Sequence, residues 1–454
     1  MDMSETNTTT NMVEDYYDVQ DDYLADSLPS PSAAIRGLGL GLLVFSVSLL
    51  SYWGDIALAK PLAIFSQLIV ALLGISLFLS ITLTDAKLAF PREFQLLFAF
   101  AIWSMIGVPV AIHPSFAVRE LFTLFKLLLM AFVILNAVNG RSAYKWFLFA
   151  LVASFFIASW GGITGLARGA ETIMMPGTSL VRYEGLFGNP NGLGKLACLS
   201  IWASISLYFT MKNRMGKIIL ILMMLLGTVV VGWTGSRQSM LGLIVIMAST
   251  YWFFLRKSVR GIPLKILVFI MMICAFALLL VFLTKTPFWH RLAKIAEPGG
   301  MTEAGSAGSR LYYMIESLRT VAKHPFKGVG YGCMTIVLVG KSTHNAILGM
   351  LANTGIIGWF LFFGSLFVAM LRLRRIQKMP IPRLDWNLAL VGWVLYTLLF
   401  FWSALTELHL YKPFWACFAA NVGYMIWVER TYHSSVSEIG PVDDYQAVEF
   451  IPEQ

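Results

Sequence analysis

KIILILMMLLGTVVVGWTGSRQSMLGLIVIMASTYWFFL, residues 217–255, is the stretch on which the fold turns. Two apolar runs, 217–234 and 238–255, flank a tight turn at Gly235-Ser236-Arg237. A helix needs roughly 20 apolar residues to cross about 30 Å of hydrocarbon, and each run approaches that length. Lipid offers backbone amides no outside partner, so such runs must be helices. Working outward, comparable runs recur at about 36–53, 61–83, 94–112, 117–138, 144–166, 190–210, 263–284, 343–371, 385–406 and 412–428. The fold class is therefore an all-α integral membrane protein with about 12 transmembrane helices. Composition agrees: 57% of residues are hydrophobic, 13% are charged and mean hydropathy is +0.71, against about 25% charged for soluble chains.

The distribution of Lys and Arg orients the spans, because short cytoplasmic loops collect them. Lys87 and Arg92; Arg141 and Lys145; Lys212, Arg214 and Lys217; Arg256, Lys257, Arg260 and Lys265; and Arg372, Arg374, Arg375, Lys378 and Arg383 occupy alternate connections. The short loops between carry only Lys60, Arg119, Arg237 and Lys412. The even loops and both termini are expected in the cytoplasm, and a bacterial cytoplasmic (inner) membrane is the expected location. Residues 1–35 and 431–454 read as acidic, disordered cytoplasmic tails flanking a membrane domain, 36–430. Residues 1–34 contain no Lys or Arg, unlike the basic start of a secretory signal. The tails hold 13 acidic residues, which leaves the membrane domain strongly basic within a whole-chain net charge of +9. Four cysteines show neither disulfide nor zinc spacing.

Two longer loops fall on the outer face, at about 167–189 and 285–342. The second is the long periplasmic loop. Leu311, Ile315, Leu318 and Ala322 recur within it at helical spacing, which predicts an amphipathic helix from Arg310 to Lys323, capped by Ser309 and ended before Pro325. That helix is expected to pack on the membrane domain or lie at its interface.

Four polar clusters share this outer face. Arg182 and Glu184 precede Asn189-Pro190-Asn191, a favourable helix start. Arg237 occupies the turn quoted above, where it opposes the positive-inside tendency. Its bland role would be snorkelling to headgroup phosphates; its functional role would be a fixed cation. Arg310 follows a Gly/Ser-rich segment at the expected helix start, and His344 stands where the tenth span begins. A helix N-terminus disfavours imidazolium and so suits a neutral general base. Arg182, Arg237 and Arg310 together carry enough charge to neutralise a diphosphate without a metal. His344 would then deprotonate an attacking hydroxyl, with Glu184 as a reserve base. Gly328-Val329-Gly330-Tyr331-Gly332 follows no strand of a βαβ unit and reads as a loop, not a phosphate cradle. Arg119, Glu120 and Lys126 form either a polar pocket or an internal ion pair, and Glu407 and His409 are a further outer-face pair.

At these residues the chain resembles the O-antigen ligase and polymerase superfamily, which includes exopolysaccharide polymerases. The matching stretches are RYEGLFGNPNGLG at 182–194, TGSRQSMLG at 234–242, GSRLYYMIESLRTVAKHPFKGVGYG at 308–332 and THNAILGMLANTGIIGW at 343–359. The resemblance implies a metal-independent glycosyltransferase of the GT-C type with no cofactor. Its donor would be a glycan on undecaprenyl diphosphate, and its acceptor a growing glycan or lipid A core, with a flippase and a chain-length regulator as associated partners. No nucleic acid partner is implied. Arg182, Arg237 and Arg310 match arginines assigned to the diphosphate or catalysis, and His344 matches the proposed base. Polymerisation of exopolysaccharide or O-antigen repeat units is the leading expectation, with ligation of finished glycan as the alternative. A multi-pass transporter is the alternative from another class. It fits the helix count, but its usual long central cytoplasmic linker is missing, since only 211–216 joins the sixth and seventh spans.

Overall fold

The computed structural model describes residues 88–163, 173–174, 181–185, 189–255, 305–379, 381–407 and 411–438, with Ile75 and parts of 266–280. Apart from Ile75, the spans expected at 36–53 and 61–83 lie outside the described residues, as do 1–35, 281–304 and His409.

Helices dominate. In chain order they are α1 (Arg92–Ile106), α2 (Pro114–Ala137), α3 (Arg141–Ile163), α4 (Pro190–Thr210), α5 (Arg214–Thr234), α6 (Arg237–Thr250), α7 (Gly305–Lys323), α8 (Met334–Val337), α9 (Ala346–Ile376), α10 (Arg383–Ser403) and α11 (Lys412–Glu438). A π-helical turn, Tyr251–Leu255, prolongs α6, and two-residue antiparallel strands β1 (Ile173–Met174) and β2 (Val181–Arg182) lie between α3 and α4. Among the described residues, α4, α5 and α9, with Arg141–Trp160 of α3 and Leu384–Ser403 of α10, are long and apolar enough to cross a membrane.

Local sequence sets the helix ends. Asn189 Oδ1 accepts the Asn191 N–H at 2.9 Å and Pro190 fills the first helical position, so α4 starts where the Asn-Pro pair predicts. Asn213 caps α5 through the Met215 N–H, Ser236 caps α6 and Asn345 caps α9. Gly235, in the left-handed region at φ 56°, ends α5 and lets α6 begin two residues later.

Packing sorts the helices into inner and lipid-facing. α4 is buried on nearly every side, against α3, α5, α6 and α10. Its Trp202 is fully buried and donates to the Val391 carbonyl of α10 at 2.9 Å. α5 instead leaves Ile218, Ile219, Leu222, Leu225, Val229 and Trp233 exposed, an apolar stripe at helical spacing that suits lipid. At one end of the bundle, fully buried Asp385 at the start of α10 accepts a two-pronged pair from Arg141 (2.8 and 2.7 Å) and the hydroxyls of Tyr424 and Tyr432. Arg372 of α9 bridges Glu93 of α1 and Glu429 of α11 at the same end.

Three differences from the sequence reading stand out. α7 is helical from Gly305, so Ser309 and Arg310 lie inside the helix and Ser309 is not its cap. The face of α7 that packs is Tyr313, Ser317, Thr320 and Val321, against Met334, Leu338 and Ala352, while Leu311 and Leu318 of the expected apolar stripe are exposed. The third difference is that α11 continues to Glu438, into the segment expected as tail.

Candidate functional site

At the end of the bundle opposite Asp385, the N-termini of α4, α6, α9 and α11 converge with the C-terminus of α10. They enclose a cavity of about 300 Å³ lined by Asn189, Asn191, Lys195, Gln238, Arg310, Ser342, His344, Thr406, Glu407, Tyr411 and Lys412. α7 supplies Arg310 from outside the bundle.

His344 sits immediately before the Asn345 cap with φ 51°, a left-handed conformation unusual for a residue with a side chain. Such a residue costs on the order of 1–3 kcal/mol and persists only where its surroundings over-determine it. Here they do. The Thr343 N–H and hydroxyl both donate to Glu407 Oε1, at 2.8 and 2.9 Å. The Ala346 N–H donates to the Thr406 carbonyl at 3.0 Å, and the His344 N–H to Ser342 Oγ at 3.2 Å. Ser342 Oγ also lies 3.3 Å from Nδ1 of the ring. His344 is thus clamped from α10's C-terminal turn while its ring stays exposed at the cavity.

Burial by the surrounding protein and the nearby Arg310 guanidinium hold the His344 imidazole below its usual pKa; Lys195 acts in the same direction and Glu407 against it. The ring is uncharged at neutral pH, the state a proton acceptor needs. Arg310 is half-buried beside it.

Of the residues singled out in the sequence, Arg310 and His344 line the cavity. Arg237 begins α6, half-buried, and its neighbour Gln238 is the lining residue, anchored through Nε2 to the Leu405 carbonyl at 2.6 Å. Arg182 lies in β2, and its side chain is outside the described residues; the Tyr183 N–H that follows donates to the Trp233 carbonyl at 3.0 Å, which ties this segment to the end of α5. Glu184 is buried and does not line the cavity. Arg119 and Glu120 pair at 3.5 Å, away from it. Among the described residues no group of three His, Cys, Asp or Glu side chains is placed to hold a metal ion.

Lys195 is the residue the sequence reading passed over. It lies in α4, 7% exposed, its Nζ 3.1 Å from Thr406 Oγ1 and 5.0 Å from the Tyr411 ring centroid. The available signal was a lysine inside an otherwise apolar helix, which by default marks function. Glu407 was legible as an outer-face carboxylate, but its hold on Thr343 was not.

A bundle of apolar helices, several long enough to cross a membrane, with a cationic cavity at one end that holds a strained histidine, is the architecture of a polytopic membrane protein. Residues 221–363 match the family model described as O-antigen ligase, so this part of the chain is similar to that family. The match runs from α5 into α9 and includes Arg237, Arg310 and His344, but not Arg182, Glu184, Lys195 or Glu407. No curated protein matches the chain.

Proposed function

We propose that this protein transfers a glycan from an undecaprenyl-diphosphate donor to a sugar hydroxyl at the periplasmic face of the bacterial inner membrane, polymerising exopolysaccharide or O-antigen repeat units. The observation that carries the reading is the meeting of Arg310 and His344 on one cavity, at the end of the bundle remote from the basic loops.

In this mechanism His344 accepts the proton of the acceptor hydroxyl as that oxygen attacks the anomeric carbon. The glycosidic bond forms on the face opposite the departing group, so the configuration inverts. The bond from the anomeric carbon to the donor oxygen breaks, and its electron pair leaves with the lipid diphosphate. Arg310 stabilises that charge, and Arg237 and Arg182 are assigned to the same task from the resemblance alone. Fixed cations aimed at developing charge are commonly the largest contribution to such catalysis. With Nδ1 protonated toward Ser342, Nε2 presents the lone pair. Proton abstraction and leaving-group stabilisation are thereby assigned to side chains, and added EDTA should leave transfer intact. Strict dependence on Mg²⁺ or Mn²⁺ would contradict the assignment.

The test is His344→Ala in an assay with purified lipid-linked donor. Loss of product with normal membrane insertion is expected; unaltered product would remove His344 from the mechanism. Because the matched family model carries the ligase description, attachment of finished glycan to lipid A core is the second reading. Supplying either repeat-unit donor alone or donor plus core acceptor separates the two.

A further inference from the structure

The transfer mechanism uses Arg310 and His344 but leaves the most deeply placed cation of the cavity without a role. Lys195 lies in α4, the helix most completely surrounded by protein, and is 7% exposed. Lysine is almost never buried unless paired. An ammonium has three N–H donors. One is directed to Thr406 Oγ1 at 3.1 Å, and the Tyr411 ring, at 5.0 Å, takes up a second direction within cation–π range. Among the described residues no further acceptor lies within hydrogen-bonding distance, and the side chain lines the cavity.

The charges around that cavity do not cancel. Among the described residues Lys195, Arg310 and Lys412 face a single lining carboxylate, Glu407, whose Oε1 already receives both Thr343 donors. His344 is uncharged. The described lining is therefore short of negative charge by about two units, the amount a diphosphate ester supplies. Three cations from α4, α7 and α11 surround one space, so a bound anion would meet them from separate sides. Asn189 and Asn191, at the start of α4, stand on the same lining.

We propose that Lys195 is a phosphate-binding residue of the donor site, donating its remaining N–H to a diphosphate oxygen of the lipid-linked glycan. The proposal rests on the transferase reading and adds to it a cation from the bundle interior. Lys195 binds; it moves no proton, and Thr406 and Tyr411 fix its direction.

Farnesyl diphosphate, a short prenyl diphosphate without a sugar, is the probe. It should raise the melting temperature of the full-length protein in detergent, and equally that of His344→Ala, which keeps the binding groups. Lys195→Met should weaken this binding about tenfold or more, the value of one lost charge-assisted hydrogen bond, and Lys195→Arg should restore most of it. Differential acylation of the unaltered protein, read by mass spectrometry, checks the same point without a substitution: farnesyl diphosphate should shield Lys195 and farnesol should not. Equal binding by Lys195→Met, or equal acylation with and without the diphosphate, would overturn the assignment while leaving the transferase reading standing. No binding of farnesyl diphosphate by any form would remove both. If shielding instead follows phosphatidylglycerol in the micelle and not the diphosphate, Lys195 is a headgroup contact and the assignment falls.

Discussion

At His344 the chain accepts a backbone conformation that most residues avoid, and the neighbours that enforce it also set its charge. Glu407 has two separable effects. Its Oε1 holds Thr343 in place through two hydrogen bonds, and its negative charge raises the His344 pKa against the lowering by burial, Arg310 and Lys195. Glu407→Gln keeps an oxygen for Thr343 and removes the charge. The imidazole must be neutral to accept a proton, so activity falls as pH drops through its pKa. For the unaltered protein the acidic limb of kcat/KM should lie below the ordinary imidazole value of about 6.5. In Glu407→Gln the lowering influences act unopposed, and the limb should move to still lower pH with kcat largely kept. Glu407→Ala removes the oxygen as well, frees the 342–345 turn and should cost roughly 100-fold in kcat, the order expected for about 1 Å of misplacement. A limb that moves upward in Glu407→Gln would mean that His344 is not the titrating base.

Among the elements, α9 joins the two halves of the site because it is broken. Gly355 has φ 68° and ψ −174°, a region open essentially to glycine alone. The break frees the Ala352 and Asn353 carbonyls, which accept the Val329 and Gly330 N–H groups at 3.0 and 2.9 Å, while the Ile356 N–H donates to the Pro325 carbonyl at 2.8 Å. Asn353 Oδ1 takes the Met334 N–H at 2.8 Å. The loop that follows α7 is thus stitched into α9, which fixes the helix bearing Arg310 against the helix behind His344. A Cβ at Gly355 would collide with the Phe326 carbonyl. Gly355→Ala should therefore cost more than the roughly 1–3 kcal/mol of backbone strain alone and lower both melting temperature and activity. Gly340→Ala is the control: φ is also positive, 77°, but the added methyl meets nothing. Equal melting temperatures for the two variants would show that the stitching carries no stability. The break itself was not legible, because Asn353-Thr354-Gly355 is a short polar interruption that hydropathy averages into the span, and only the hydrogen bonds to the 325–334 loop reveal it. Helix ends were legible where a cap is local, as at Asn189-Pro190, and the span expected at 190–210 coincides with α4. The packed face of α7 was not. Its apolar periodicity pointed to Leu311 and Leu318, yet the contact with α8 and α9 uses Tyr313 and Val321 beside the small polar Ser317 and Thr320. Lys195 was hidden for the opposite reason: counting apolar residues absorbs a single lysine into a span, and its meaning depends on Thr406 and Tyr411, more than 200 positions away.

Over the whole molecule, the candidate site and the buried anchoring pairs lie at opposite ends of the described bundle. The end away from the cavity is tied by Arg141–Asp385 and by Arg372 between Glu93 and Glu429, and it carries exposed Arg214, Arg374, Arg375 and Lys378. Buried pairs of this kind resist separation, since losing one partner strands a charge at a cost of roughly 3–5 kcal/mol. Positive residues concentrated at one end also bias insertion, because short basic loops stay in the cytoplasm. The proposed orientation follows from that bias: the cavity would open to the other side of the membrane, where the proposed transferase would meet its acceptor. Lys341, exposed three residues before His344, and Lys378, exposed after α9, report the two ends. In a background with Cys198, Cys274, Cys333 and Cys417 replaced by Ala, Lys341→Cys should react with a membrane-impermeant maleimide in intact spheroplasts. Lys378→Cys should react only after the membrane is opened. The distinction is topological and does not depend on activity, so a catalytically dead protein serves equally well. Labelling of Lys378→Cys but not Lys341→Cys in sealed spheroplasts would turn the cavity toward the cytoplasm. A periplasmic acceptor would then be out of reach of His344, however well the residues around it are arranged.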